Sequence, residues 1–152
     1  MPISPAALLG MSMRFRVVVD EIDLGGWASC AGLAVEFHNQ KIKQGANYEF
    51  QTIVPDCVDY PPITLQRAMN TDDSGRVQRW LSQVVSTWFS DSSDGGYSDR
   101  TAQITLLDSQ NKPVTTWRLR NVYPQKWEGP DLDASTGRIA LEKLQLVHEG
   151  FL

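Results

Sequence analysis

Two histidines, His38 and His148, and two cysteines, Cys30 and Cys57, are the whole supply of imidazole and thiol in the 152 residues of the chain. A serine or cysteine nucleophile needs a basic partner and a turn that exposes it, and no GxSxG elbow occurs. Carboxylates fall in pairs: Asp56 and Asp59, Asp72 and Asp73, Asp131 and Asp133. Such pairs can hold a divalent cation or divide acid and base work. Each of these lies in a stretch rich in Pro, Ser or Thr, where solubility and helix capping account for it. Gly25-Gly26 and Gly95-Gly96 lack the lysine and the repeated spacing of a phosphate loop. Without CxxC spacing the cysteines form neither a zinc site nor a disulfide framework, and both read as reduced thiols. The residue types therefore point to no catalytic, cofactor or metal centre. Trp27, Trp117 and Trp127 could stack on a sugar or a base. Packing in a core or an interface is the plainer use of so much apolar area.

The elements that would carry these residues are mostly strands. An apolar fraction of 41% and a charged fraction of 21% are ordinary globular usage, and the length suits one domain. A net charge of −4 argues against a dedicated nucleic-acid binder. No apolar run has the length of a membrane helix. No basic residue precedes Arg14, so a cytosolic chain, not exported by the usual route, is expected. Residues 1–13 read as an N-terminal extension and 14–152 as the domain.

Phe15, Val17 and Val19 alternate with polar neighbours, as a half-buried strand requires. Asp23-Leu24-Gly25-Gly26 reads as a turn. Trp27 to Cys30 and Leu33 to His38 read as short strands broken near Gly32, with Leu33, Val35 and Phe37 on one side. Asn39 to Pro62 is weakly patterned and carries Tyr48, Phe50, Ile53 and Val54. It reads as an extended hairpin leaving the domain, broken by Pro55, Pro61 and Pro62. Ile63 to Arg67 resumes alternation.

Thr71-Asp72-Asp73-Ser74 supplies caps, and from Gly75 the apolar stripe Val77, Trp80, Leu81, Val84, Val85 and Trp88 has helical spacing. Ser90 to Gly96 reads as a loop. Strands return at Gln103–Leu106, Val114–Asn121, Val122–Trp127 and Arg138–His148. In the last, Ile139 and Leu141 sit at odd positions and Leu144 and Leu146 at even ones, which predicts a β-bulge near Glu142–Lys143. Three strands, a helix and three strands predict a mainly β fold: an antiparallel sandwich or partly open barrel with one flanking amphipathic helix.

The order of phrases is more specific than any one of them. Phe15-Arg16-Val17-Val18-Val19-Asp20 precedes Trp27-Ala28-Ser29-Cys30-Ala31-Gly32-Leu33, Lys43-Gln44-Gly45 and Ile63-Thr64-Leu65-Gln66-Arg67-Ala68. Asn121-Val122-Tyr123-Pro124-Gln125-Lys126-Trp127, Gly129-Pro130 and Glu142-Lys143-Leu144-Gln145-Leu146-Val147-His148-Glu149-Gly150-Phe151 close the chain. From Arg14 to Leu152 this resembles the tail tube family of contractile phage tails and related bacterial contractile injection systems. It departs in Gly45-Ala46, in Val54-Pro55-Asp56 and in Ala68, where the family often has Gly-Gly, Leu-Pro-Gly and Gly.

The resemblance implies an inner tube subunit without cofactor or enzymatic role. Hexameric rings would join their sheets into one ring-shaped β-barrel, stack into a hollow tube and be driven through a target envelope by sheath contraction. It implies as partners further copies of the chain, a sheath protein, baseplate or tube-initiator and terminator proteins, and protein cargo or DNA in the lumen. Assembly would be cytoplasmic. On this reading Lys41, Lys43, Tyr48, Glu49, Phe50 and Ile53 stack one ring on the next. Arg14, Arg16, Glu36 and His38 are candidates for the lumen face, and Val77, Trp80, Leu81, Val84 and Trp88 pack the helix. A tube-initiating ring at the baseplate and a monomeric ligand-binding barrel with an apolar pocket are the alternative readings.

Overall fold

The computed structural model describes residues 15–46, 48–90 and 100–152. Along the chain run β1 (Phe15–Val19), β2 (Ile22–Gly26), β3 (Ser29–Ala31), β4 (Glu36–Ile42), β5 (Thr52–Asp59), β6 (Ile63–Ala68), α1 (Thr71–Ser90), β7 (Ala102–Leu107), β8 (Pro113–Leu119), β9 (Tyr123–Glu128) and β10 (Leu141–Val147). Among the described residues six strands precede the helix and four follow it, instead of three and three. Two four-stranded antiparallel sheets have the orders β2-β1-β7-β8 and β3-β6-β10-β9, and β4-β5 is a separate two-stranded ladder. The expected antiparallel sandwich with one flanking helix is the fold observed, and no barrel closes within one copy.

In the first sheet the β1–β2 turn is Asp20-Glu21, with φ 49° and 64°. Two consecutive left-handed residues match the right-handed twist of a tight hairpin. The expected turn at Asp23–Gly26 is instead strand β2, in which Leu24 is buried. Asp23 Oδ1 accepts the Gly25 N–H at 2.8 Å, a local bond that imitates a turn within the strand.

In the second sheet Leu141 to Leu146 pair with Ala68 to Ile63 in unbroken register, so no bulge exists at Glu142–Lys143. The register shift lies at Gln145/Leu146, and only against β9. Ile139 precedes the strand and is 77% exposed. The inward face of β10 is Glu142, Leu144 and Leu146, all fully buried. A charged residue on the core side produced the false change of parity.

Ser29 and Ala31 stand opposite Gln66 and Thr64, and beyond a short interruption Glu36 and Phe37 stand opposite Asp59 and Val58. The β4–β5 hairpin therefore continues the β3–β6 ladder outward. At the interruption Gly32 has φ +98°, and a Cβ there would strike the Pro62 carbonyl. Glu36 begins β4, so the expected Leu33–His38 strand starts later and Phe37 is 65% exposed. Pro55 does not break the hairpin. It sits within β5 opposite Asn39, next to a register shift where its missing N–H is tolerated.

Helix α1 starts at Thr71, a turn earlier than its apolar stripe suggests. Its cap is Asn70, whose Oδ1 accepts the Asp73 N–H at 2.7 Å, while Ser74 Oγ accepts the Asn70 N–H at 3.1 Å. Val77, Trp80 and Val84 are buried and Leu81 packs against them, but Val85 is 47% exposed. They join Val17, Val19, Leu24, Ile63, Leu65, Ile104, Leu119, Leu144 and Leu146 in one core between the sheets. Arg14, the side chain of Trp88 and the loop at 91–96 lie outside the described residues.

Candidate functional site

Chemistry-bearing side chains gather in three places. The innermost is the pair of Arg67 on β6 and Glu142 on β10, 3% and 0% exposed, with Nε donating to Oε1 at 2.6 Å. Ser74 Oγ donates to the same oxygen at 2.9 Å, and Trp127 Nε1 donates to Oε2 at 3.3 Å. The guanidinium also donates to the carbonyls of Leu24, Gly26 and Asp73, and lies 3.9 Å from the centroid of the Trp27 ring. The strands β2, β6, β9 and β10 and helix α1 are thus tied at one point. Both carboxylate oxygens are engaged and water is excluded, so this group has no room for a substrate. Its work is structural.

The second place is the root of the hairpin. Tyr60, between β5 and β6, meets His148 at 5.4 Å and Phe151 edge-on at 5.2 Å, centroid to centroid. His148 Nδ1 accepts the Gly150 N–H at 3.0 Å. The Arg120 N–H donates to Gly150 O and the Glu149 N–H to Arg120 O. Asn121 Nδ2 adds a bond to Glu149 at 2.7 Å. Gly150 has φ +131°, and a Cβ there would lie 2.6 Å from the Tyr60 ring, so only glycine fits. Burial, then the Arg120 charge, holds His148 below the usual histidine range, against a raising contribution from the Pro61 carbonyl. Neutral imidazole is the form that accepts at Nδ1. The closing His-Glu-Gly-Phe segment thus clasps the point where the hairpin leaves the sheet.

The third place is the hairpin itself. All seven residues of β4 and all but Thr52 of β5 are exposed. Phe37, Ile42, Tyr48, Phe50, Ile53 and Val58 are exposed by 65, 44, 89, 63, 60 and 49%. A two-stranded ladder is marginal alone in water, and this one exposes apolar side chains on both faces, Ile53 beside Lys41 on one and Ile42 beside Thr52 on the other. Lys41, Lys43 and Glu49 are exposed on the same segment. His38 Nε2 lies 3.8 Å from Glu36 and 3.9 Å from Asp59, a solvent-exposed ion-pair cluster set by the Glu36–Asp59 register. Each offers one ligand atom within 4.8 Å of the others, and these are the residues that could hold a cation.

Two groupings left open by the sequence lie apart within one copy. Arg16 lies on β1 beside Asp23, at 4.0 Å, whereas Glu36 and His38 belong to the hairpin that extends the other sheet. Trp27, Trp117 and Trp127 make no platform: Trp27 is buried over Arg67, Trp127 binds Glu142 and Trp117 lies on β8. An apolar cleft of about 180 Å³ lies beside Phe15, Cys30, Leu33 and Trp117. That is smaller than an ordinary ligand pocket. Burial pushes the Cys30 thiol up to about 11, and Cys57 is exposed on β5; both are free. No helix among the described residues is long and apolar enough to cross a membrane.

A closed interior and an apolar hairpin turned to solvent define a β-rich module. The sequence matches the family of the T4-like virus tail tube protein gp19 over residues 11–152, and the chain belongs to that family of structural tube subunits. No curated protein matches it in sequence. Its fold is similar to a chain in the anti-feeding prophage baseplate (22% identity, 93% of this chain and 92% of that one, TM-score 0.69). It is also similar to a chain in the PVC extracellular contractile injection system sheath–tube complex, extended state (18%, 93% and 88%, 0.70). A third is in the anti-feeding prophage tube-terminating cap (17%, 99% and 96%, 0.71).

Proposed function

We propose that the chain forms hexameric rings that stack into the inner tube of a contractile, phage-tail-like particle. Its role there is mechanical and not enzymatic. The observation that carries this is the β4–β5 hairpin, which exposes apolar side chains along its length while it extends a sheet ladder. Open strand edges invite pairing, and head-to-tail contacts close a ring when the rotation fits. The neighbours in the baseplate, sheath–tube and cap assemblies support sheath, initiator and terminator proteins as partners. Assembly in the cytoplasm before firing is part of the same proposal.

In this reading Lys41, Lys43, Tyr48, Glu49, Phe50 and Ile53 carry the stacking. Negative-stain microscopy of the purified chain tests it: rings or tubes are expected, and monodisperse monomers at high concentration would refute it. Deleting Gln44–Phe50 should leave rings or monomers, and tubes of normal length from that deletion would remove the hairpin from the stacking.

Arg14, Arg16, Glu36 and His38 are proposed to contribute to a polar lumen wall. Because Arg16 and the Glu36/His38 pair lie on different sheets, charge reversal at each probes a different face. Reversal on the lumen side should alter cargo loading or ejection in tubes that still form. Unchanged loading from both would exclude them.

A further inference from the structure

Sheet β3-β6-β10-β9 has two unlike ends. From the Ile63 end of β6 the hairpin departs, past Tyr60-Pro61-Pro62. At the Ala68 end lies the β9–β10 loop, residues 129–140, held by a Met69 N–H to Ala140 O bond of 2.9 Å. Every residue from Asp131 to Leu141 is exposed. Leu132, Ile139 and Leu141 are exposed by 87, 77 and 44%, beside a depression of about 240 Å³ lined by Gly129, Pro130, Asp131, Arg138 and Ile139.

Charges of both signs border it: Arg138 and Lys143 line it with Asp131, and Glu128 is paired with Lys126. Within the loop itself, residues 129–140, Asp131 and Asp133 outnumber Arg138. Bonds from the Ser135 N–H and Oγ–H, at 2.9 and 2.7 Å, hold the Asp133 carboxyl below its usual range, so it keeps its charge. The hairpin end has the opposite excess: Lys41 and Lys43 outnumber Glu49 beside Tyr48 and Phe50. From Ala68 back to Thr52 the chain is almost wholly strand, a span of roughly 50 Å at about 3.3 Å per residue. The tip cannot meet the loop of its own copy.

We infer that the β9–β10 loop is the receiving surface for the hairpin tip of a second copy in the adjacent ring. Tyr48 and Phe50 cover Leu132, Ile139 and Leu141 while Lys41 and Lys43 face Asp131 and Asp133. The contact is heterologous, donor end to acceptor end, and so repeats along a stack without limit. It rests on the stacking of copies proposed above and names both halves of that contact.

Two variants of the full chain test it beside the wild type. In Phe50→Cys/Ile139→Cys, on a Cys57→Ser background, mild oxidation of assembled tubes should give a ladder of covalent oligomers. In Asp131→Lys/Asp133→Lys, tube yield should fall at least tenfold, and adding Lys41→Glu/Lys43→Glu should restore it. Wild-type tubes, cross-linkless cysteine tubes and undiminished assembly of the reversed variant would overturn the docking surface alone. A wild type that never stacks would overturn the stacking reading itself and this contact with it. If the reversed variant fails to stack and the charge swap does not rescue it, the cysteine ladder decides: its presence upholds the contact and its absence overturns it.

Discussion

The Arg67–Glu142 node and the β4–β5 hairpin invert the usual rules in opposite directions. The node places two full charges where apolar side chains are expected, and satisfies them with a guanidinium–carboxylate bond, a serine, an indole N–H and three carbonyls. The hairpin places aromatic and β-branched side chains where polar ones are expected, and satisfies few of them within the copy. The node is complete in a monomer, so it specifies how two sheets and a helix meet. The hairpin is exposed in a monomer, and under the proposed stacking its stability comes from neighbouring copies. Fold stability and assembly are therefore separable by mutation.

The sharpest test of that separation is deletion of Gln44–Phe50. Stacking into tubes should be lost outright while the subunit melts within about 2 °C of the wild type, since exposed surface contributes little to folding. A deletion that unfolds the monomer would show that the two regions are coupled.

On the other side of the comparison, Arg67→Ala leaves Glu142 as an unpaired buried carboxylate. The expected cost is about 3–5 kcal/mol, a large part of a domain's stability, measured by urea unfolding. Arg67→Met with Glu142→Leu should recover most of it, because an apolar pair of similar volume can replace a buried ion pair. If the double variant is as unstable as the single, the node supplies more than charge neutralisation. Trp80→Ala should cost about as much at the sandwich–helix junction, again roughly 3–5 kcal/mol. Trp80→Phe should cost less, because Nε1 has no acceptor among the described residues. Neither Trp80 variant should weaken stacking beyond its effect on the folded fraction.

The strands were legible where apolar residues alternate: Val17 with Val19, Ile63 with Leu65, Leu144 with Leu146. The hairpin was legible as a departure from the domain, because its apolar residues keep no period that a core could use. The node was not read, although its trace is present. Arg67 continues the inward parity of Ile63 and Leu65, and Glu142 precedes that of Leu144 and Leu146. Two opposite charges at inward positions of two strands imply a buried pair once those strands are known to be neighbours. Sequence cannot supply that knowledge for residues 75 apart. The same limit hid the approach of His38 to Asp59, which depends on cross-strand register, and the clasp of His148 on Tyr60. The helix start was misplaced because Asn70 and the acidic first turn precede the first apolar residue.

The smallest effect concerns that clasp, which lies between the two regions and joins the closed domain to the open hairpin. His148 sits below the ordinary histidine value in the folded chain, chiefly through burial and then the Arg120 charge. The unfolded chain therefore takes up the proton first, and stability falls as pH drops below about 6.5. Protonation also turns Nδ1 from acceptor to donor opposite the Gly150 N–H. The ring is only partly buried, so the loss is discounted to under ~1 kcal/mol, about 2–4 °C at this size. His148→Asn keeps an acceptor near Nδ1 and removes the titration. Between pH 7.5 and 5 its melting point should fall less than that of the wild type by this amount. Equal falls would place the acid sensitivity elsewhere. A larger loss of stacking than of melting in the wild type would show that the clasp sets the direction of the hairpin as well as the stability of the fold.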